Sequence, residues 1–308
     1  MRLLLLGGTS FVGRHLAEAA IDREWNLSLF HRGKTNPDLF PTHEHFLGDR
    51  LDDLSSLQGK RWDAVVDTSA YIPRAVRLAG EALSSCAERL AFISTISVYA
   101  DPDNSSVDSA LARLGDRNTE EVSSETYGGL KVLCEQEVRK HWGERAWILR
   151  PGIIAGPYDP TDRFTYWIDR VANYEAFTKP ARLNQPVQCL DARALAEFVL
   201  DGLVAGHSQT VNVVGPQAPM DFDHLLKRIR RELRAPNFEL LESLGTPLPL
   251  EVPRENENLF RVDAQPAMDL GLKLPSIRET IRSTYEWWQE QTRELKAFKP
   301  NLADRQRP

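Results

Sequence analysis

Four leucines, Leu3-Leu4-Leu5-Leu6, break directly into Gly7-Gly8-Thr9-Ser10-Phe11-Val12-Gly13, and this junction limits the possible folds more than any other stretch. The segment that follows, 11–22, keeps Val12, Leu16 and Ala19 on one helical face, so the order is strand, glycine turn, helix. Gly7 can adopt the positive φ of a tight turn, and Gly13 lets the helix pack close to the strand. The helix start then aims backbone N–H groups and the positive dipole end past the strand, which suits a pyrophosphate. A Gly-x-x-Gly-x-x-Gly pattern would place glycine at position 10, where Ser10 keeps the backbone small and adds a hydroxyl. A glycine turn without a ligand has the same composition. Its place after an N-terminal strand and before an amphipathic helix favours a dinucleotide.

The first half continues the alternation, with apolar runs at 2–6, 27–31, 64–67 and 90–94 and helical patterns at 11–22 and 74–86. This predicts an α/β fold, a Rossmann-type doubly wound parallel sheet. Residues 119–142 read as one long helix and 147–154 as a returning strand. Further on, 187–190 and 210–214 look strand-like, while 192–203, 220–235 and 277–295 look helical. The expected organisation is a dinucleotide-binding domain over 1–156, rejoined by 187–214, and a smaller C-terminal substrate-binding lobe from 157–186 and 215–295. The polar tail 296–308 is expected to fray.

A net charge of −6 argues against a nucleic-acid-binding role, which draws on clustered Lys and Arg. Cys86, Cys134 and Cys189 lie far apart, and no Cys-x-x-Cys or histidine motif suggests a metal. Free thiols fit a reducing compartment. No apolar stretch reaches the roughly 18 residues needed to span a bilayer, and the leucine run is too short for a signal peptide. The expected location is cytoplasmic, with no membrane partner.

The end of the second strand normally selects the nucleotide: an acid bonds the ribose 2′-OH, whereas arginine accommodates a 2′-phosphate. Here the residues are Phe30-His31-Arg32-Gly33-Lys34, without a carboxylate. Arg32 offers a planar fork for phosphate and Lys34 a point charge. NADP(H) is therefore the expected cofactor, with NAD as the alternative; a solvated basic turn would look the same.

Tyr127 and Lys131 stand four apart in a helical segment and share a face. Thr95 follows the strand 90–94, where strand ends open onto the cofactor crevice. Together with the loop 7–13, the stretches Ser94-Thr95-Ile96-Ser97-Val98-Tyr99, Tyr127-Gly128-Gly129-Leu130-Lys131 and Arg150-Pro151-Gly152-Ile153-Ile154-Ala155-Gly156-Pro157 carry a resemblance. Over roughly residues 1–215 the chain resembles an extended short-chain dehydrogenase/reductase of the NAD-dependent epimerase/dehydratase group.

The resemblance implies an enzyme whose catalytic residues are Thr95, Tyr127 and Lys131. Hydride transfer to a carbonyl leaves charge on oxygen, which an acid within reach must neutralise. A phenol with a pKa near 10 needs a cation to stabilise its anion, the role expected of Lys131. Gly7, Thr9, Ser10, Phe11, Val12 and Gly13 would bind the cofactor together with His31, Arg32 and Lys34. By the same resemblance Asp49 would contact the adenine and Thr68, Ser69 and Ala70 would line the cofactor. Lys131 would hold the nicotinamide ribose, and Pro151, Gly152 and Ile153 would lie near the nicotinamide.

Two departures narrow the chemistry. Dehydratases of the group carry Asp-Glu where this chain has Ile96-Ser97, which argues against water elimination. Nucleotide-sugar enzymes tend to carry asparagine where Ile153 stands, and isoleucine cannot donate to a phosphate. Substrate candidates are Tyr158 and the helically spaced Arg163, Tyr166, Trp167 and Arg170, which would set two cations beside aromatic surface and favour a small polar or anionic carbonyl compound. A cap helix packing its aromatics with solvated arginines fits the same residues. The expected function is an NAD(P)-dependent oxidoreductase acting on a small molecule. Alternatives are a sugar epimerase holding NAD tightly, and a non-catalytic relative similar to the chloroplast stem-loop RNA-binding proteins. A homodimer is allowed.

Overall fold

The computed structural model describes residues 1–101, 103, 105–107, 109, 111, 119–243 and 245–290. The chain begins with β1 (Arg2–Leu6), α1 (Phe11–Asp22), β2 (Asn26–His31), β3 (Glu44–Leu47), β4 (Trp62–Asp67), α2 (Pro73–Leu83) and β5 (Ala87–Ile93). It continues through α3 (Tyr127–Trp142), β6 (Ala146–Pro151), β7 (Ile153–Ala155), α4 (Arg163–Asn173), β8 (Ala176–Thr178), β9 (Pro186–Val187), β10 (Cys189–Asp191) and α5 (Ala192–Ala205). The remaining elements are β11 (Thr210–Val213), β12 (Met220–Asp221), α6 (Phe222–Leu233), β13 (Glu239–Leu241), α7 (Gln265–Asp269) and α8 (Ile277–Glu290).

Seven strands form one parallel sheet in the order β11-β6-β5-β4-β1-β2-β3. The order reverses between β1 and β4, and a ligand crevice belongs beyond the C-terminal ends of that pair. Both faces of β1 are buried, as a parallel sheet requires. Leu3 and Leu5 join the core beneath α1 and α5, while Leu4 and Leu6 join the core beneath α2 and α3. A third apolar cluster gathers α4, α6 and α8 around Phe164, Trp167, Phe222 and Ile281.

Several predicted elements differ from the observed ones. The helix expected over 119–142 starts only at Tyr127. Upstream, polar side chains capture the backbone: Ser123 N donates to Thr126 Oγ1 at 2.9 Å, and that hydroxyl donates to the Glu121 carbonyl at 2.6 Å. The strand expected over 147–154 divides at Gly152, with β6 in the main sheet and β7 pairing with β10. The helix expected from 220 begins at Phe222, because Met220 and Asp221 pair with β9 and Asp221 caps the helix. The fraying expected of 296–308, and the helix over 291–295, lie outside the described residues.

Candidate active site

Gly7 turns the chain after β1 at φ +92°, and a Cβ there would meet Thr68 Oγ1 and Ser69 Cβ at 3.0 Å. A Cβ on Gly13 would stand 2.1 Å from the Gly7 carbonyl oxygen, so only glycine lets α1 approach the turn this closely. Ser10 caps α1 with extended backbone, yet its exposed hydroxyl makes no capping bond. The first-turn amides and this hydroxyl therefore remain for a ligand.

A cleft of about 590 Å³ runs along the C-terminal strand ends. Gly7, Thr9, Ser10, Phe11, Val12 and Gly13 line its floor, followed by His31, Arg32 and Lys34 at one end. Asp49, Thr68 and Ser69 line it as well. The volume falls in the ordinary range for cofactor sites, and a glycine cradle beside an uncapped helix start fits a dinucleotide.

Sequence reasoning missed Arg50, which also lines the cleft. Its guanidinium grips Asp67 at 2.7 and 2.6 Å and Ser69 Oγ at 2.8 Å. Burial opposes ionisation of Asp67, but the Arg50 charge and hydrogen bonds hold its carboxyl below the ordinary value. The only hint in the sequence was a lone arginine beside Asp49, whose partner stands seventeen residues away. Tyr71, Glu120, Val122, Pro160 and Thr161 also line the walls and were likewise missed.

At the other end of the cleft stands the half-exposed Tyr71, whose ring lies 6.3 Å from that of Tyr127. Tyr127 opens α3. Burial and the neighbouring Tyr71 push its phenol above the ordinary value, against hydrogen bonding with Thr95 and the charge of Arg163. Thr95 caps a short turn, its hydroxyl accepting from Ser97 N at 3.2 Å. Lys131 is buried one helical turn along α3, and its ammonium donates to the carbonyls of Ala70 at 2.9 Å and Ile93 at 2.8 Å. Burial pushes its pKa down. The structure thus brings Tyr127 and Thr95 together and holds Lys131 with one N–H to spare.

Ala70 is buried behind the cleft and meets the site through its carbonyl. Pro151 is buried at the end of β6, Gly152 packs on Val214 and Ile96, and Ile153 rests partly buried against the third cluster.

The predicted face of cations beside open aromatics does not form as expected. Trp167 is fully buried, and its indole donates to the Pro249 carbonyl at 2.7 Å. Tyr166 is buried against it, ring to ring at 4.9 Å. The Arg170 guanidinium lies over Tyr166 and Tyr174, 5.0 and 4.3 Å from their centroids. Tyr158 packs on α1 instead, under Arg14 at 3.5 Å and beside His15. An apolar face this wide at helical spacing buries itself, which is the cap-helix arrangement. Arg163 alone stays exposed at the start of α4, close enough for its charge to reach Tyr127.

Among the described residues, no group of three or more His, Cys, Asp or Glu could hold a metal ion. No helix among them is long and apolar enough to cross a membrane.

Comparisons with known proteins agree with this fold. WbmH of Bordetella bronchiseptica, solved with NAD+, superposes with a TM-score of 0.71 at 14% identity over 94% of this chain and 98% of that one. A UDP-N-acetylglucosamine 4-epimerase from Methanobrevibacter ruminantium M1, solved with UDP-N-acetylmuramic acid, gives 0.71 at 16% identity over 94% and 99%. The UDP-glucose 4-epimerase of Thermus thermophilus, solved with NAD, gives 0.66 at 17% identity over 95% and 100%. At these identities the likeness is one of fold. No curated protein matches the sequence. The profile of the NAD dependent epimerase/dehydratase family, however, matches residues 3–215, more than half of the chain. With its glycine cradle and its Rossmann sheet, the chain belongs to the NAD-dependent epimerase/dehydratase family of enzymes.

Proposed function

We propose that the chain is an oxidoreductase of the extended short-chain type that prefers NADP(H) and interconverts a carbonyl and an alcohol, with Tyr127 as acid and base. One observation carries the reading: a single cleft extends from the cations Arg32 and Lys34 past the glycine cradle to Tyr71, beside Tyr127 and Thr95. When bound, the nicotinamide supplies or accepts the hydride. In reduction Tyr127 gives its proton to the oxygen of the substrate, while Thr95 donates a hydrogen bond to the same oxygen. Oxidation runs the steps backwards, with the phenolate taking the alcohol proton. The cradle and the start of α1 would hold the pyrophosphate, Asp49 the adenine, and the spare N–H of Lys131 the nicotinamide ribose. Thr68, Ser69 and Ala70 would wall the cofactor, and Pro151, Gly152 and Ile153 would lie near its nicotinamide.

Arg32 and Lys34 are exposed, and neither has an ion-pair partner among the described residues. NADPH should bind more tightly than NADH, and Arg32→Ala should cost NADPH about 1.5–3 kcal/mol, roughly tenfold or more. Fluorescence titration of both reduced cofactors checks this; equal affinities, or an unchanged Arg32→Ala variant, would remove the preference.

Arg163, exposed near Tyr127 and without an ion-pair partner among the described residues, supports a substrate with an anionic group near its carbonyl. Burial pushes the nearby Asp159 carboxyl up, which reduces its competition for that cation. Keto acids and phosphorylated aldehydes should oxidise NADPH, with KM rising about tenfold in Arg163→Ala. Fast turnover of UDP- or dTDP-sugars, indifferent to this change, would refute the substrate half. The family also favours a second reading, an epimerase that regenerates its own cofactor. The absorbance and mass of nucleotide released from the purified protein separate the two: exchangeable NADPH supports the reductase, retained NAD the epimerase.

A further inference from the structure

His31 ends β2 inside the cofactor cleft, and His45 stands beside it on β3. Their rings meet edge to face, centroids 5.0 Å apart, with His31 Nε2 2.7 Å from His45 Nδ1. At one end of this contact the Gly33 amide donates to His31 Nδ1 at 3.0 Å. At the other, His45 Nε2 lies 3.1 Å from the Phe40 carbonyl oxygen. These two backbone groups set the direction of every proton. An amide can only donate, so His31 Nδ1 is bare and its Nε2 carries the hydrogen given to His45 Nδ1. A carbonyl can only accept, so His45 carries its hydrogen on Nε2, in agreement from the opposite end. Both rings are neutral, all four nitrogens are used, and an added proton at either Nδ1 would face an N–H. Burial disfavours protonation of His31, consistent with this arrangement.

The chain of bonds grips the two ends of the segment that carries Arg32 and Lys34. Gly33 turns at φ +68°, and Phe40 holds φ +60°, a backbone conformation that disfavours a residue with a side chain. Between them Asn36 Nδ2 ties the segment to the glycine cradle through the Thr9 carbonyl at 2.9 Å. We propose that the His31–His45 pair is the positioning device for nucleotide selection, fixing the loop so that Arg32 and Lys34 face the 2′-phosphate of NADP(H). The inference rests on the NADP(H) preference proposed above. Neither imidazole needs to touch the cofactor.

Two measurements test it. Nitrogen chemical shifts of histidine-labelled protein should show His31 and His45 both as the neutral Nε2–H tautomer at about pH 7.5, well above the ordinary histidine pKa. An Nδ1–H tautomer, or a charged ring at either position, would overturn the bond chain in the unaltered protein. Separately, NADPH and NADH dissociation constants should be measured by fluorescence for wild type, Arg32→Ala, His45→Leu and His45→Gln. His45→Leu should weaken NADPH roughly tenfold with little change for NADH, a selective loss that general loosening of the fold would not produce. His45→Gln should restore the preference, because one amide can accept from His31 and donate to Phe40. If Arg32→Ala has no effect on NADPH, the NADP(H) reading itself fails. If Arg32→Ala weakens NADPH but His45→Leu weakens both cofactors equally or neither, only the positioning role fails.

Discussion

Tyr127→Phe should lower turnover at least about a hundredfold, the lower range for losing a general acid, with cofactor affinity nearly unchanged. Phenylalanine keeps the ring that packs near Tyr71 and removes only the hydroxyl bonded by Thr95. Burial keeps the phenol protonated at neutral pH, which suits proton donation during reduction. Lys131→Ala should differ, damaging both turnover and cofactor binding, because this ammonium braces the Ala70 and Ile93 carbonyls and has a hydrogen left for the ribose. The pH dependence has a definite sign. Arg163 lowers the Tyr127 pKa, so Arg163→Ala should raise it, and oxidation, which needs the phenolate, should require a higher pH. Stopped-flow reduction and pH profiles of oxidation test these points. Near-full activity in Tyr127→Phe on a true substrate would mean that another group supplies the proton.

The parts of this protein legible in its sequence are those determined by neighbours along the chain. The helix read over 11–22 coincides with Phe11–Asp22 because a glycine turn punctuates its start and its apolar spacing is regular. Leu3 to Leu6 announce a strand buried on both faces, and the sheet places them on two cores. β3 was not legible, since it is a four-residue edge strand in which only Phe46 is fully buried. The residues 119–126 show helical spacing, yet Ser123 and Thr126 offer the backbone competing bonds that periodicity does not register. Trp167 looks like a binding aromatic until its distant partners, Pro249 and Phe222, are known. The glycine-lined end of the cleft was readable because the loop is a compact local motif. The ion pairs beneath it join residues far apart, and no spacing rule finds them.

Glu135–Arg150 is a second such buried pair, and Glu135→Ala should cost about 3–5 kcal/mol of stability. Glu135 lies one turn beyond Lys131 on α3, and its carboxylate accepts from Arg150 Nε at 3.0 Å, Arg150 Nη2 at 2.7 Å and Ser94 Oγ at 2.5 Å. Arg150, on β6, also donates to the Tyr99 hydroxyl at 3.1 Å, which in turn donates to Asn212 on β11 at 2.6 Å. Both charged residues are almost completely buried. Removing the carboxylate would leave the guanidinium in the interior without its counter-charge, and arginine cannot escape by losing a proton. The loss should exceed anything inferred from the pair's net worth, because two buried charges already cost desolvation. Glu135→Leu combined with Arg150→Met should therefore recover much of what Glu135→Ala loses. The network also ties α3, which carries Tyr127 and Lys131, to Ser94, the neighbour of Thr95. The double variant should accordingly fold well yet lose turnover, since Glu135 would no longer tie α3 to Ser94 beside Thr95. Urea unfolding with comparison of slopes, alongside activity of the refolded variants, separates these effects. A Glu135→Ala variant within about 1 kcal/mol of wild type would show that Arg150 finds another partner or reaches water.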